Sequence, residues 1–458
     1  MSLSDFRRAA YGPGLKAIAI AFLTLGFLIP LALVGELVDD RMDYRDEAVA
    51  SIVEPEGGEP ALLGPYLLVP WTRAVGKDQT VSGELALFPS RLGVNGTLPT
   101  SARVRGLFEA PVLRAELDLE GSFDPAAATN SAALPPGAAL DWSRARLRFE
   151  LPDTRSLAEP PRVSLGGAAI SIESEPRQGF AWASAIGAAA GFGPVPPPGA
   201  LGFSARVVLR GGLSFRLLAP SGEVRVGLAG TWPSPSFRGF VSPVERAVGE
   251  AGFTAAWYVP SSAQSLPLAV EPESIGRGFA ERTAFGVDLL PGVDAYAMSS
   301  RAVRYGLLFV VVPFAVLFLF ELLAGARVHP VQYALVGLAD AVFFLLLLSL
   351  SELLPFGAAY ALAALACSLV VALYAVSAIR STRGFLMLPV LAALYAWLYV
   401  SLSSEDYALL LGSLGLFALV AAAMLLTRRI DWYAPGTGEG HPERKERGSK
   451  ERLDLEVP

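Results

Sequence analysis

Hydrophobic residues follow two different rhythms along this 458-residue chain. Near the start, LKAIAIAFLTLGFLIPLALVGELV (Leu15–Val38) is apolar throughout, with only Lys16 and Glu36 charged, near its ends. A second apolar region begins at Tyr305 and ends at Thr427. It divides into runs at 305–324, 331–354, 356–379, 385–402 and 407–427. The breaks fall at His329-Pro330, at Pro355 with Gly357, at Arg380, Arg383 and Gly384, and at Glu405-Asp406. A bilayer core is crossed by about 20 residues, so each run predicts a membrane-spanning helix. Pro30 and Pro313 predict kinks in the first and second helices.

Between these regions the period shortens. GPYLLVPW, VSGELALFP, PVLRAELDLEGSF, RARLRFELP, RVSLGGAAISI, SARVVLRG, LSFRLLAP and GEVRVGLAGTW alternate or run apolar over short lengths. Gly, Pro, Ser and Asp bound them, which predicts many short strands in an all-β-rich domain. SPVERAVGEAG is the strongest helical candidate there. Directly after the first apolar run, DDRMDYRDEAVASIV contains no break signal and predicts that the first helix continues to about Ser51. The alternative is a charged linker.

The predicted fold class is an α-helical membrane protein with one N-terminal span, an all-β-rich domain and a C-terminal five-helix bundle. Its divisions are an N-terminus at 1–14, an anchor at 15–38, the domain at 39–304, five spans within 305–427 and a tail at 428–458. A cleaved signal peptide is the alternative for the first run. Its apolar core would be about 7–15 residues long and end at a small-residue site, and this run is longer, without such an ending.

Charge adds orientation. Six spans place both termini on one side. That side carries Arg7, Arg8, Lys16, Arg327, Arg380, Arg383, Arg428 and Arg429. The short loops opposite carry Glu352, Glu405 and Asp406, with no Lys or Arg. Positive loops stay cytoplasmic, so the domain at 39–304 is expected in the periplasm. Trp397, Tyr399, Tyr407, Trp432 and Tyr433 lie near span ends, as interfacial anchors do.

Composition fits the same picture: 53% of residues are hydrophobic and 17% charged. A soluble domain has about 25% charged residues. A net charge of −6 offers nothing to nucleic acid. The tail after Tyr433 mixes charges with Gly and lacks aromatics, a disordered composition. Arg444, Lys445 and Arg447 could reach lipid, though Glu443 and Glu446 dilute their charge.

Candidate chemistry is sparse. The single cysteine, Cys367, rules out an intramolecular disulfide and a Cys-based zinc site. His329 and His441 both lie outside 39–304, leaving that domain without a histidine for a hydrolytic triad or metal. No phosphate-binding loop is present, and LGGAA and RGGLS read as turns or bulges. Asp118, Glu120, Glu150 and Asp153 are the carboxylates to weigh for acid–base work, and they read as solvated strand-face charges. Asn95-Gly96-Thr97 matches a glycosylation sequon and reads as a hairpin turn. The sharper candidates are Asp340, mid-span in LVGLADAVFFLLLL, and Glu321, in FLFELLAG. Charge in hydrocarbon is costly and often functional. Asp340 has no cation within its span; Gln332, Tyr333 or Ser349 are its candidate partners, in a buried packing role or a proton relay. Glu321 is expected at the interface, opposite Arg327. No cofactor is called for.

The C-terminal stretches RVHPVQYALVGLA, LLLLSLSE, EDYALLLGS and TRRIDWY resemble the CreD inner-membrane proteins. RDEAVASIVEPEG, LLGPYLLVPW, GLFEAPVLRAELDLEGSF, WPSPSFRGF and FGVDLLPGVDAY are similar too, so the likeness spans about residues 15–433. It implies a Gram-negative inner-membrane protein with a periplasmic domain. The family is linked to envelope integrity, colicin tolerance and β-lactam response under the CreBC sensor–regulator pair. The resemblance transfers no catalytic residue. Asp340 stands where the family's LVGLA stretch usually continues apolar, whereas Glu321, His329, Gln332, Glu352, Glu405 and Asp406 fit its pattern. The function expected is a non-enzymatic envelope protein whose outer domain binds or senses an envelope component. Its expected partners are the bilayer and envelope proteins. A transporter or channel on the five-span block and a membrane-bound envelope hydrolase are the alternatives.

Overall fold

A computed structural model describes residues 13–75, 79–175, 180–182, 184–220, 222–264, 266–275, 278–289, 294–324, 328–404 and 407–428. Arg7, Arg8, Arg327, Glu405, Asp406, Arg429 and the tail lie outside these residues. The chain forms two compact units: one of Arg41–Asp294, the other of the segments up to Asp40 and from Ala295 onward.

The second of these is helical. Its elements are α1 (Pro13–Gly26), α2 (Leu28–Val53, which carries on into the other unit), α3 (Ala295–Arg304), α4 (Gly306–Ala324), α5 (Pro330–Ser351), α6 (Phe356–Ile379), α7 (Met387–Ser403) and α8 (Ala408–Thr427). Four helices among the described residues are long and apolar enough to cross a membrane, counting α1 and α2 as one. The bent pair α3–α4 makes a fifth, and α8 holds a shorter apolar stretch, Leu410–Ala422.

Local chemistry explains the breaks. Pro30 has no N–H to donate to Gly26 and crowds its carbonyl, and the regular helix is interrupted beside it at Phe27. The α3–α4 bend of 47° lies at Tyr305, ahead of Pro313. His329 caps α5: its Nδ1 accepts from Val331 N at 3.3 Å, and Gln332 Oε1 accepts from His329 N at 2.8 Å. With Pro330 in the first turn, this is a capping box written into the sequence HPVQ. The unit's core is aromatic: Phe343 lies 4.6 Å from Tyr395 and 5.5 Å from Tyr360, ring centre to ring centre.

The unit at Arg41–Asp294 is β-rich. Its strands are β1 (Ala61–Val75), β2 (Gln79–Leu87), β3 (Arg91–Leu98), β4 (Thr100–Arg105), β5 (Phe108–Phe123), β6 (Ala139–Leu140) and β7 (Arg146–Leu151). There follow β8 (Arg162–Leu165), β9 (Ala168–Ser171), β10 (Glu173–Ser174), β11 (Ser184–Ala189), β12 (Leu201–Gly212) and β13 (Ser214–Leu218). The last are β14 (Glu223–Gly230), β15 (Pro235–Gly239), β16 (Glu245–Gly249), β17 (Gly252–Val259), β18 (Ala269–Val270) and β19 (Phe285–Leu289). One sheet runs β10-β11-β7-β1-β13-β19-β15, with β2 and β6 also on β1 and β18 on β2. The other runs β16-β17-β14-β3-β5-β12-β8-β9, with β4 on β5.

Side-chain alternation builds the main core. On β5, Leu113, Ala115, Leu117 and Leu119 point inward, with Arg114, Glu116, Asp118 and Glu120 on the opposite face. β1 is apolar without alternation because both of its faces are covered. Leu62, Leu67, Val69 and Trp71 join the main core, while Leu63, Tyr66 and Leu68 join a smaller cluster with Phe88, Leu218 and Phe279.

Two local readings change. SPVERAVGEAG is not helical: Glu245–Gly249 is β16, hydrogen-bonded to β17 around Gly252, whose φ of +127° suits glycine. Asn95-Gly96 is not a turn but mid-strand in β3, paired with Asp118 and Leu117. A Cβ at Gly96 would lie 2.7 Å from Leu117 and 2.8 Å from Leu228, so this glycine serves core packing. Arg45 of α2 binds Asp294 at 2.9 Å and the adjacent Asp46.

Candidate functional site

Glu321 lies near the end of α4, where it accepts from the Lys16 ammonium of α1 and from Tyr333 Oη of α5, the latter at 3.3 Å. Lys16 Nζ also reaches the Val328 carbonyl at 2.6 Å. A carboxylate, an ammonium and a phenol thus tie three helices. Arg327, the partner the sequence pointed to, lies outside the described residues; Lys16 is a lone cation early in an apolar run some three hundred residues away.

Asp340 is 1% exposed on α5. Neither carboxyl oxygen has a hydrogen-bond partner among the described residues. The three candidates for that role are placed otherwise: Gln332 is used in the α5 cap, Tyr333 bonds Glu321, and Ser349 is exposed. The groups in electrostatic reach of Asp340 are Cys367 on α6 and Tyr395 on α7. Both are buried, and the Tyr395 hydroxyl also lacks a partner. This cluster escaped sequence reasoning because Cys367 and Tyr395 look like ordinary apolar-face residues. Their only shared signal is a heteroatom inside a span.

In the β-rich unit, the four candidate carboxylates part company. Asp118 and Glu120 stand on the outward face of β5, with Asp118 paired to Arg206 at 3.3 Å. Asp153 caps the turn Thr154–Ser156, and its hydrogen bonds from the Arg155 side chain and backbone hold its carboxyl below the usual range. Glu150 is the correction: it is fully buried rather than solvated. Arg148 and Glu150 share the side of β7 that the small cluster covers. The Glu150 carboxylate accepts from Tyr66 Oη at 2.6 Å and from the backbone N–H groups of Phe180, Ala181 and Trp182 at 3.1, 2.8 and 3.1 Å. Four donors satisfy a charge that would otherwise be expensive to bury. Burial, reinforced by this carboxylate, holds the Tyr66 phenol well above the usual tyrosine range. With its oxygens so occupied, Glu150 organises the segment at 180–182.

The family model described as inner membrane protein CreD matches residues 13–433. This chain belongs to the CreD family. Inner membrane protein CreD of Escherichia coli (strain K12) is 30% identical over 425 residues, covering 89% of this chain and 91% of that protein. Membership agrees with the architecture, which has a β-rich unit and several apolar helices. Among solved structures, a Legionella pneumophila protein described as a candidate nutrient binding protein matches with a TM-score of 0.24 and 7% identity, over 53% of this chain and 77% of that one. An M1 zinc metallopeptidase variant from Deinococcus radiodurans matches with a TM-score of 0.18 and 10% identity, over 38% and 40%. At these scores neither likeness informs fold or function within the CreD family.

Proposed function

We propose that this CreD-family protein supports cell-envelope integrity from the bacterial inner membrane without catalysing a reaction. Six spans hold both termini in the cytoplasm and the domain at 39–304 in the periplasm, where it binds or senses an envelope component. The observation that carries this reading is the division of charge between the short loops. Lys16, Arg380, Arg383 and Arg428 fall on one side, and Glu352, Glu405 and Asp406 on the other. Kinship with an inner-membrane protein of Escherichia coli supports the location.

The binding surface in this reading is the outward face of the sheet centred on β3, β5 and β14. Asn95, Asp118, Arg206, Gly227, Glu245 and Arg246 line a trough there of about 710 Å³. Arg206 pairs with Glu116 and Asp118, and Arg225 with Glu223, so donors and acceptors are already oriented. The partners expected are the lipid bilayer and proteins of the periplasm or inner membrane.

A reporter active only in the periplasm, fused after residue 200, should be active; activity of a cytoplasm-only reporter there would overturn the topology. Photo-crosslinking in cells from Asn95 or Thr97 should capture an envelope component. Capture of cytoplasmic proteins alone would refute the binding role.

A further inference from the structure

We propose that Asp340 is a proton-binding site inside the helical unit, reached from the groove between α6 and α7 past Tyr395. Its carboxyl is sealed from solvent, and both oxygens lack a hydrogen bond among the described residues. A carboxylate anion in such surroundings would be strongly disfavoured, as a buried unpaired charge is elsewhere. Burial alone would be met by a Leu at this position.

Among the described residues, the neighbours supply no cation. The groups within electrostatic reach of the carboxyl are the Cys367 thiol of α6 and the Tyr395 phenol of α7. Tyr360, also on α6, donates its hydroxyl to the Tyr395 carbonyl at 2.8 Å. On α1 and α4, Lys16 and Glu321 satisfy each other, and Tyr333 of α5 turns to Glu321. On α3, Arg301 turns back to the Ala297 carbonyl, while Tyr296 donates to Glu352 at the end of α5. Thiol and phenol can share or pass a proton but cannot neutralise an anion, so the carboxyl holds its own.

Tyr395 gives the site a way out. Its ring lines a groove of about 650 Å³ with Gly357, Ala361, Ala364, Ala392 and Ala396, small residues that keep it open. The unpartnered Tyr395 hydroxyl lies in the field of the Asp340 carboxyl. A molecule dissolved in the bilayer would enter by this groove and displace the Tyr395 ring from its packing against Phe343 and Phe309.

The test uses dicyclohexylcarbodiimide, an apolar reagent, on the full-length chain in native membranes. The protonated carboxyl adds across one C=N bond: its oxygen joins the carbon and its proton passes to nitrogen. An oxygen-to-nitrogen acyl shift then leaves a stable N-acylurea, and nothing is expelled. Peptide mass spectrometry should find this adduct on the segment holding Asp340. The adduct should be lost in Asp340→Asn and kept in Asp340→Glu and Tyr395→Phe. A water-soluble carbodiimide should spare the residue. An unmodified wild-type segment, beside a labelled reference membrane protein in the same vesicles, would overturn the proposal. So would equal labelling by the water-soluble reagent, which would mean a solvated carboxyl.

Discussion

The Tyr66 hydroxyl donates to Glu150 Oε1 at 2.6 Å, joining β1 to β7 inside a layer where both side chains are fully buried. The same carboxylate receives three consecutive backbone N–H groups from 180–182. One buried charge therefore connects two strands and a loop.

Truncating either partner should cost unequally. Tyr66→Phe removes one of four donors and should destabilise by about 1.5–3 kcal/mol, the range for hydrogen bonds to charged groups. Glu150→Gln should cost more, because its NH₂ would face backbone donors where an acceptor is needed. Denaturant unfolding of the purified chain in detergent, followed by tryptophan fluorescence, orders the two. Equal midpoints would refute the four-donor account.

Alkaline pH should act through Tyr66. Its folded pKa is raised, first by burial and then by the Glu150 carboxylate. A raised folded pKa contributes stability in full below the unfolded value, about 10 for tyrosine. That contribution is lost as pH climbs from there towards the higher folded value. The wild type should therefore lose stability above that point more steeply than Tyr66→Phe, which has no phenol to ionise. Unfolding midpoints measured across this alkaline range decide it; parallel slopes would contradict the expectation.

How much of this was legible beforehand depended on how local each signal is. Pro330, Pro355 and the run lengths mark helix boundaries because a missing N–H and bilayer-sized apolarity act within a few residues. Alternation exposes β5 as a strand because its outward face stays solvated. It fails at β7, where RARLRFEL alternates equally well but the face bearing Arg148 and Glu150 is covered by Phe180, Phe279 and Phe88. Whether a polar face is covered is decided by distant segments. Likewise Asn95-Gly96 has turn chemistry, yet Leu117 and Leu228 need the room that Gly96 leaves. The Lys16–Glu321 and Asp340–Tyr395 relations depend on helix packing that no periodicity encodes.

The Lys16–Glu321 pair should show strong coupling. Both side chains are largely shielded, at 25% and 17% exposure. Removing one partner leaves the other charge poorly solvated, so Lys16→Met or Glu321→Met should each cost more than the ~1 kcal/mol of an exposed pair. The double substitution should recover much of the loss, since apolar replacement of a shielded pair is often neutral. Thermal unfolding of the four proteins in detergent completes the cycle. Additive effects would show that the two residues act independently.

Gly384 sits in a close turn between α6 and α7. After α6, Arg380 adopts a left-handed φ of +54°, and the chain turns through Thr382–Leu386 before α7. A Cβ on Gly384 would stand 2.4 Å from Val376 N and 2.5 Å from its Cα, both backbone atoms that cannot swing aside. Gly384→Ala must therefore push the turn off α6, at a cost of about 1–3 kcal/mol or more for overpacking. Arg380→Gly should do the opposite, since glycine relieves roughly 1 kcal/mol of left-handed strain. The single cysteine, Cys367, is buried on α6 and reports on the packing directly. Its rate of reaction with a maleimide in detergent should rise in Gly384→Ala and stay at or below the wild-type rate in Arg380→Gly. An unchanged rate in Gly384→Ala, with an unchanged melting temperature, would mean that the turn does not press on α6.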